Sequence, residues 1–192
     1  MSRDAYGHLC TVTGALWRPY GRYFDGADDG INCGNSPALG FGTGDFTLEV
    51  WVYCNGYVNN GSTHNGIVVR GTLTAGNTGM YGIYLLNTNK PKFSIDTDVN
   101  SAMATVHDIS GGWHHLIGLR NGSAIALYVD TVQDGMGTNS GSTDSSLDLV
   151  LGRDTGVYRY FDGTIGEVRI SNRALNPQEI QRNYLSTKWR YR

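Results

Sequence analysis

Proline, cysteine and charge of one sign are all scarce in this sequence. Four of its 192 residues are proline, three are cysteine, and the formal net charge is -2. This charge supplies no basic patch, so we expect no nucleic-acid partner. No apolar stretch is long enough to cross a bilayer, and we expect no membrane span. The first seven residues lack the apolar core of an ordinary signal peptide, and none is predicted there.

The three cysteines, Cys10, Cys33 and Cys54, are widely spaced and include no C-x-x-C pair. This spacing indicates neither a zinc site nor a complete disulfide framework. We expect three buried or half-buried thiols.

Glycine is abundant, with 27 residues, and it lies with Thr, Asn and Ser between short apolar runs. This pattern is typical of strands joined by tight turns, and the length suits one domain over residues 1–192 with a core at about 22–184. We therefore expect an all-β fold. Strands are predicted at residues 46–53, 66–70, 80–86, 92–97, 113–120, 123–130, 147–151 and 163–170.

The connections between these strands also have sequence signals. Asn121-Gly122 predicts a hairpin over residues 113–130 with a two-residue type I′ turn. Glycine-rich polar intervals at residues 55–65, 71–79 and 131–146 are predicted to be loops at the ends of a sandwich, where binding specificity commonly lies.

One short helix is predicted at residues 177–184. Asn176 can cap it, Pro177 suits its first position, and Glu179 stands where a capping box places its acidic partner.

Four motifs, in order along the chain, resemble the laminin G-like members of the concanavalin A-like lectin/glucanase superfamily. They are residues 23–31 (YFDGADDGI), 46–53 (FTLEVWVY), 113–116 (WHHL) with a hairpin ending in 127–130 (LYVD), and 161–175 (FDGTIGEVRISNRAL). The resemblance implies an antiparallel two-sheet jelly-roll sandwich with one short C-terminal helix. It also implies recognition of glycans, proteins or surfaces.

Residues 4–10 (DAYGHLC) add a second resemblance, to stand-alone laminin G-like proteins encoded by tailed phages. This resemblance implies a virion surface component, such as a capsid decoration or tail-associated protein.

Catalysis is not predicted. Retaining glycosidases need two carboxyl groups about 5–5.5 Å apart, whereas Glu49, Glu167 and Glu179 are solitary and form no E-x-D-x-x-E cluster. His114 and His115 are adjacent on a strand, so they point to opposite faces and cannot serve one site together.

Asp25, Asp28, Asp29 and Asp162 are flanked by glycine and come close together if the first and last strands pair. Clustered carboxylates are ligands that calcium prefers, although Asp-Gly and Asp-Asp-Gly are also ordinary turn sequences. Both interpretations stay open. A bound calcium would stabilise the fold or bridge a ligand.

Candidate ligand contacts are the loop residues Tyr57, Tyr158 and Tyr160. Glu49 and Trp51 share a strand face that would suit a sugar-binding groove, but the family pattern contains this pair and favours a structural hydrogen bond for Glu49.

The basic and aromatic tail at residues 188–192 has two interpretations. It packs back on its own sandwich, or it docks on a neighbouring subunit with Trp189, Arg190 and Tyr191 as partner contacts.

Together these observations predict a non-catalytic binding or structural jelly roll at a virion surface or in an extracellular setting. The expected partners are other copies of the chain, virion or surface proteins, and glycans. A calcium-dependent carbohydrate-binding lectin is the alternative, and a glycoside hydrolase is the third hypothesis.

Overall fold

Short strands dominate the computed structural model of the chain, which describes residues 2–3, 9–72, 79–103, 106–155 and 159–192. The strands are β1 (Ser2–Arg3), β2 (Leu9–Thr13), β3 (Leu16–Arg18), β4 (Gly21–Asp25), β5 (Gly30–Asn32), β6 (Phe46–Gly56), β7 (His64–Arg70), β8 (Met80–Leu86), β9 (Pro91–Met103), β10 (Trp113–Asn121), β11 (Ala124–Val129), β12 (Val132–Thr138), β13 (Leu149–Leu151) and β14 (Asp162–Ser171). One α-helix, α1, spans Pro177–Thr187, and short 3-10 helices span Pro37–Leu39 and Lys188–Arg190.

These strands form two antiparallel sheets. In the described residues, sheet I has the order β1-β2-β5-β13-β7-β8-β9 and sheet II has the order β12-β11-β10-β6-β14-β4-β3. Each sheet combines strands that are consecutive in sequence with strands that are far apart, as β14 between β4 and β6 illustrates. The two-sheet jelly-roll sandwich with one C-terminal helix is therefore confirmed.

Alternation of side chains along β6 positions the core. Phe46, Leu48, Val50 and Val52 face sheet I and are fully buried in the main hydrophobic cluster. The alternate residues of β6 face outward from sheet II, because successive side chains of a strand point to opposite faces. The outer face of sheet II carries the features described below.

The predicted hairpin is present, with a different turn. Asn121 pairs with Ala124, so Gly122 and Ser123 are the two connecting residues. Gly122 has a φ of 61°. Ser123 does not have a positive φ, so the turn is of type II′, because the predicted type I′ turn needs positive φ at both connecting residues.

Several strands have other boundaries than those predicted from the sequence. The predicted loop at residues 131–146 contains β12, an edge strand whose Gly-rich sequence lacks the apolar alternation of a central strand. β9 extends well beyond residue 97, and β13 begins at Leu149 rather than at residue 147. The early strands β2, β3 and β5 have short sequences that gave no strand signal.

Helix α1 begins as predicted and ends three residues later. The Asn176 side chain accepts a 3.0 Å hydrogen bond from the Glu179 backbone N–H, and the Glu179 carboxylate accepts one of 3.0 Å from the Asn176 N–H. The helix lies on the outer face of sheet II, where Ile180 packs with Ile117 and Leu119. This apolar contact holds the helix across the sheet.

Candidate functional site

The C-terminal helix covers one part of the outer face of sheet II. The Trp51 indole N–H donates a 2.9 Å hydrogen bond to Thr187 Oγ1, and Asn183 Nδ2 donates to both Glu49 carboxylate oxygens at 3.0 and 3.1 Å. Burial is the main cause that raises the pKa of Glu49. The possible sugar groove beside Glu49 and Trp51 is therefore closed by the chain itself, and Glu49 has the structural hydrogen-bonding role that the family pattern favoured.

The two adjacent histidines lie on opposite faces, as predicted. His115 is buried on the helix side, with its ring stacked 5.0 Å from the Trp51 ring. Desolvation by burial lowers the pKa of His115 to about 4, so its imidazole is neutral at pH 7. His114 Nδ1 lies 2.7 Å from Asp130 Oδ2. The pair does not form a common site.

Within the C-terminal tail, Tyr191 and Trp189 have different surroundings. Tyr191 is buried, stacks 4.6 Å from the Trp51 ring, and its hydroxyl accepts a 2.9 Å hydrogen bond from the Glu167 N–H. Arg190 Nη1 lies 3.3 Å from Glu167 Oε2. Trp189 is 65% exposed. The tail thus packs on its own sandwich through Tyr191, while the Trp189 ring faces solvent.

Beside the helix, the outer face of sheet II carries a row of aromatic side chains that begins at the C-terminal tail, where the Trp113 and Tyr191 rings are 4.8 Å apart. Trp113 pairs with Tyr53, Tyr53 with Thr164, and Thr164 with Tyr23, across β10, β6, β14 and β4. The Trp113 and Tyr53 rings meet edge to face at 5.9 Å. All four side chains are half-buried. We call Trp113, Tyr53 and Tyr23 the aromatic row.

Hydrogen-bonding groups border this row at one end of the sandwich. Asn55 Nδ2 donates a 2.7 Å hydrogen bond to Asp162 Oδ1. Asp162 pairs in register with Asp25 on β4, so the first and last strands of the family motifs are neighbours, but the Asp162 carboxylate is not part of the group formed by Asp25, Asp28 and Asp29. Burial, followed by the charges of Asp162 and Asp25, raises the pKa of Tyr23. The charges of Asp162 and Asp25 therefore act on Tyr23, which lies at one end of the aromatic row.

The other predicted metal ligands lie in the turn after β4. One carboxylate oxygen each from Asp25, Asp28 and Asp29 lies within 4.8 Å of the others. Some of these oxygens already accept turn hydrogen bonds: Asp25 Oδ1 from the Ala27 N–H at 2.9 Å and Asp29 Oδ2 from the Asp25 N–H at 3.0 Å. Desolvation is the main cause that raises the pKa of Asp29, and the charges of Asp25 and Asp28 raise it further. A bound cation would lower this pKa. We call Asp25, Asp28, Asp29 and Asp162 the acidic rim.

The tyrosines predicted as ligand contacts do not join the aromatic row as a group. Tyr57 packs against the core, and its hydroxyl donates to the Ser62 carbonyl. Tyr160 is half-buried. Tyr158 lies outside the described residues.

Sequence reasoning did not single out the aromatic row. The period of β6 placed Tyr53 on the outer face with Trp51, and Trp113 was recognised as a strand start. Their alignment with Tyr23 depends on strands that are far apart in the chain, for which a single sequence has no local signal.

The fold belongs to the class of antiparallel jelly-roll sandwiches, and comparison with known proteins identifies the family. A laminin G family model, described as the concanavalin A-like lectin/glucanases superfamily, matches residues 25–181. The chain belongs to this superfamily. Comparison with individual curated proteins finds no match.

Three solved structures illustrate the fold similarity. Trypanosoma rangeli sialidase in complex with sialic acid has a TM-score of 0.69 and 17% identity, over 94% of this chain and 30% of the sialidase chain. The binding domain of Paraclostridial Mosquitocidal Protein 1 has a TM-score of 0.73 and 14% identity, over 95% of this chain and 48% of that domain. The binding domain of botulinum neurotoxin serotype G has a TM-score of 0.73 and 15% identity, over 96% of this chain and 47% of that domain.

The chain therefore spans about a third of the sialidase and about half of the toxin binding domains. At these identities the similarity concerns the fold. Among the helices that the structure describes, none is long and apolar enough to cross a membrane.

Proposed function

We propose that this protein is a non-catalytic recognition module that binds carbohydrate on the aromatic row. The observation that carries the proposal is the alignment of the half-buried Trp113, Tyr53 and Tyr23 on the outer face of sheet II, beside the side chains of Asn55 and Asp162. Aromatic faces suit the apolar C–H face of a sugar ring, and neighbouring carboxylate and amide groups suit its hydroxyls.

The dimensions of the row favour a chain of sugars over a single one. Trp113 and Tyr23 are three strand spacings apart, which is about 14 Å. The Arg18 guanidinium lies 5.6 Å from the Tyr23 ring centre and extends the row toward the sheet edge. A linear oligosaccharide crossing the strands would contact several of these side chains at once.

The charge beside the row favours neutral sugars. Asp25 and Asp162 lie on neighbouring strands next to Tyr23 and repel anionic groups. We therefore expect neutral hexose-containing glycans to bind better than sialylated ones, even though one protein of similar fold is a sialidase observed with sialic acid.

The experiment is a glycan-array screen of the full chain, followed by calorimetry with the best ligand. Tyr23→Ala and Asp162→Asn test the row and its polar border, and Tyr20→Ala is the matched control because Tyr20 is an exposed tyrosine outside the row. Loss of one aromatic stacking contact should weaken binding by roughly 2- to 10-fold. The proposal fails if the folded wild-type protein binds no glycan, or if Tyr23→Ala and Tyr20→Ala bind equally well.

A non-catalytic role is supported by the position of Glu49 under helix α1, bonded to Asn183. Asp25 and Asp162 pair across β4 and β14 at the end of the row, and they are the carboxylates that we would expect a glycoside hydrolase to use. Incubation of the array ligand with purified protein tests this hypothesis. Cleavage that disappears in Asp162→Asn would establish a hydrolase instead.

A calcium-dependent lectin is a second candidate, favoured by the grouping of Asp25, Asp28 and Asp29 beside the row. These residues offer the oxygen ligands that calcium takes, and the ion would stabilise the turn and contact sugar hydroxyls. Glycan binding measured with calcium and with a chelator separates the two candidates. Asp28→Asn is the informative variant, because Asp28 is exposed and its loss should leave the fold intact.

We also propose a multi-copy virion surface as the setting, following the resemblance to tailed-phage proteins. Exposed apolar side chains at Trp189, and at Leu16 and Trp17 on edge strand β3, are available for contacts between copies or with other surface proteins. Light scattering of the purified protein tests this proposal. A discrete oligomer that Trp17→Ser or Trp189→Ser dissociates would support it, whereas a monomer at all concentrations would count against it.

A further inference from the structure

Cys10 and Cys33 lie opposite each other on neighbouring strands. β2 pairs with β5 through Thr11 and Asn32, and one further step in that antiparallel register places Cys10 beside Cys33. Their Sγ atoms are 2.7 Å apart. The backbone therefore already brings the two sulfurs within bonding reach, as cross-strand neighbours in a sheet have the Cα separation that a disulfide requires.

Both sulfurs lie on the same side of sheet I. Cys10 alternates with exposed neighbours on β2, and Cys10 and Cys33 both pack partly against the main hydrophobic cluster. Their half-buried position leaves access for a small oxidant. Cys54 is fully buried, and burial raises the pKa of its thiol to about 12, which suppresses the reactive thiolate.

We propose that Cys10 and Cys33 form an intramolecular disulfide when the protein meets a small disulfide oxidant such as oxidised glutathione. One cysteine thiolate attacks the glutathione disulfide, forms a mixed disulfide and releases one glutathione thiolate. The second cysteine thiolate then attacks the mixed disulfide and releases the other. Two protein thiols are oxidised, one glutathione disulfide is reduced to two glutathione molecules, and Cys54 remains a thiol.

The bond encloses the segment that leaves sheet I, enters sheet II and returns. That segment contains β3 and β4, together with Tyr23 and the acidic turn at residues 25–29. Without the bond, β2 is joined to the rest of sheet I through the short pairing with β5. The disulfide therefore anchors the early strands that support one end of the aromatic row. This inference does not depend on the ligand of that row.

Thiol counting on the full chain tests the proposal directly. Protein purified with a reductant is incubated with oxidised glutathione, denatured, treated with iodoacetamide and weighed by intact-mass spectrometry. We expect one alkylated cysteine and a mass deficit of two hydrogen atoms, with peptide mapping that links Cys10 to Cys33 and labels Cys54. Three alkylated cysteines, a link to Cys54 or persistent glutathione adducts on Cys10 and Cys33 would overturn the proposal.

Thermal unfolding gives a second test that does not rely on labelling. Closing a loop of this size should raise the melting temperature of the oxidised protein over the reduced protein by about 6–12 °C. Cys10→Ser and Cys33→Ser should each abolish that difference, whereas Cys54→Ala should keep it. An equal difference in all four proteins would show that the reductant acts elsewhere.

Discussion

Trp51 and Thr187 are 136 residues apart in the chain, yet the Trp51 indole N–H donates a 2.9 Å hydrogen bond to the Thr187 hydroxyl. Both residues are buried between sheet II and the C-terminal helix. The same hydroxyl donates a 2.7 Å hydrogen bond to the Asn183 carbonyl within the helix. This contact ties the end of the helix to β6, next to the tail residue Tyr191, whose ring lies 4.6 Å from the Trp51 ring and 4.8 Å from the Trp113 ring.

Replacement of the hydroxyl should measure the strength of that connection. Thr187→Val keeps the side-chain shape but leaves the buried indole N–H without its acceptor, so we expect a loss of about 1–3 kcal/mol in the free energy of unfolding, measured in urea. Ser186→Ala is the control, because Ser186 makes a similar helical hydrogen bond at an exposed position. Equal losses in both variants would assign the effect to the helix rather than to the contact with Trp51.

The buried His115 should make the protein less stable in acid. Its pKa falls from 6.5 to about 4 on folding, mainly through desolvation. Over that interval the unfolded chain binds a proton that the folded chain does not. The stability present above pH 6.5 is therefore lost as the pH falls toward 4, by an amount of about 3 kcal/mol.

His115→Phe keeps an aromatic ring beside Trp51 and removes this titration. We expect the difference between the variant and wild-type unfolding free energies to change across the same pH interval. His114→Gln, on the opposite face, should leave the contribution of His115 in place. Parallel pH curves for His115→Phe and wild type would contradict the prediction.

Arg120 joins loops at the sandwich end opposite the acidic rim. Its guanidinium is fully buried and donates hydrogen bonds of 2.8, 2.7 and 2.8 Å to the carbonyl groups of Gly44, Gly141 and Gly42. Arg120→Lys lacks the planar set of donors, so we expect a loss of about 2–4 kcal/mol in unfolding free energy. Arg182→Lys, at an exposed position, should change stability by less than about 0.5 kcal/mol. Similar losses in the two variants would refute the role of the buried guanidinium.

Gly118 is required for close packing of the two sheets. A Cβ atom at this position would lie 2.2 Å from Cδ2 of Phe93, a core residue of the other sheet. Gly118→Ala should therefore lower the melting temperature, with a cost of about 1–3 kcal/mol for overpacking. Gly112→Ala is the matched control, because its Cβ would make only an ordinary 3.5 Å contact with His114. An unchanged melting temperature for Gly118→Ala would show that Phe93 can move aside.

The predictability of the fold depends on how local each signal is. The capping box of Asn176 and Glu179 and the alternation of β6 lie within a few residues, and both were predicted from sequence. Edge strand β12 was assigned to a loop because pairing on one side supports its glycines without apolar alternation. The turn at Gly122 was displaced by one residue because the register of the flanking strands decides which residues connect them.

The candidate site was predicted in part. The motifs implied that Asp25 and Asp162 approach each other, and the pairing of β4 with β14 brings them together. The aromatic row was missed because Trp113, Tyr53 and Tyr23 come from three separate motifs.

The family, the all-β composition and the inward and outward faces of the central strands follow from the amino-acid sequence alone, because motif order and side-chain alternation are properties of the chain. The burial of Glu49 and Trp51 under helix α1, the half-buried position of Tyr53 beside Trp113 and the approach of Cys10 to Cys33 are visible only in the folded protein. These outcomes depend on strand order, on register and on the position of helix α1 across sheet II. Each depends on packing between segments that are far apart in sequence, and no local sequence pattern shows which segments pack together.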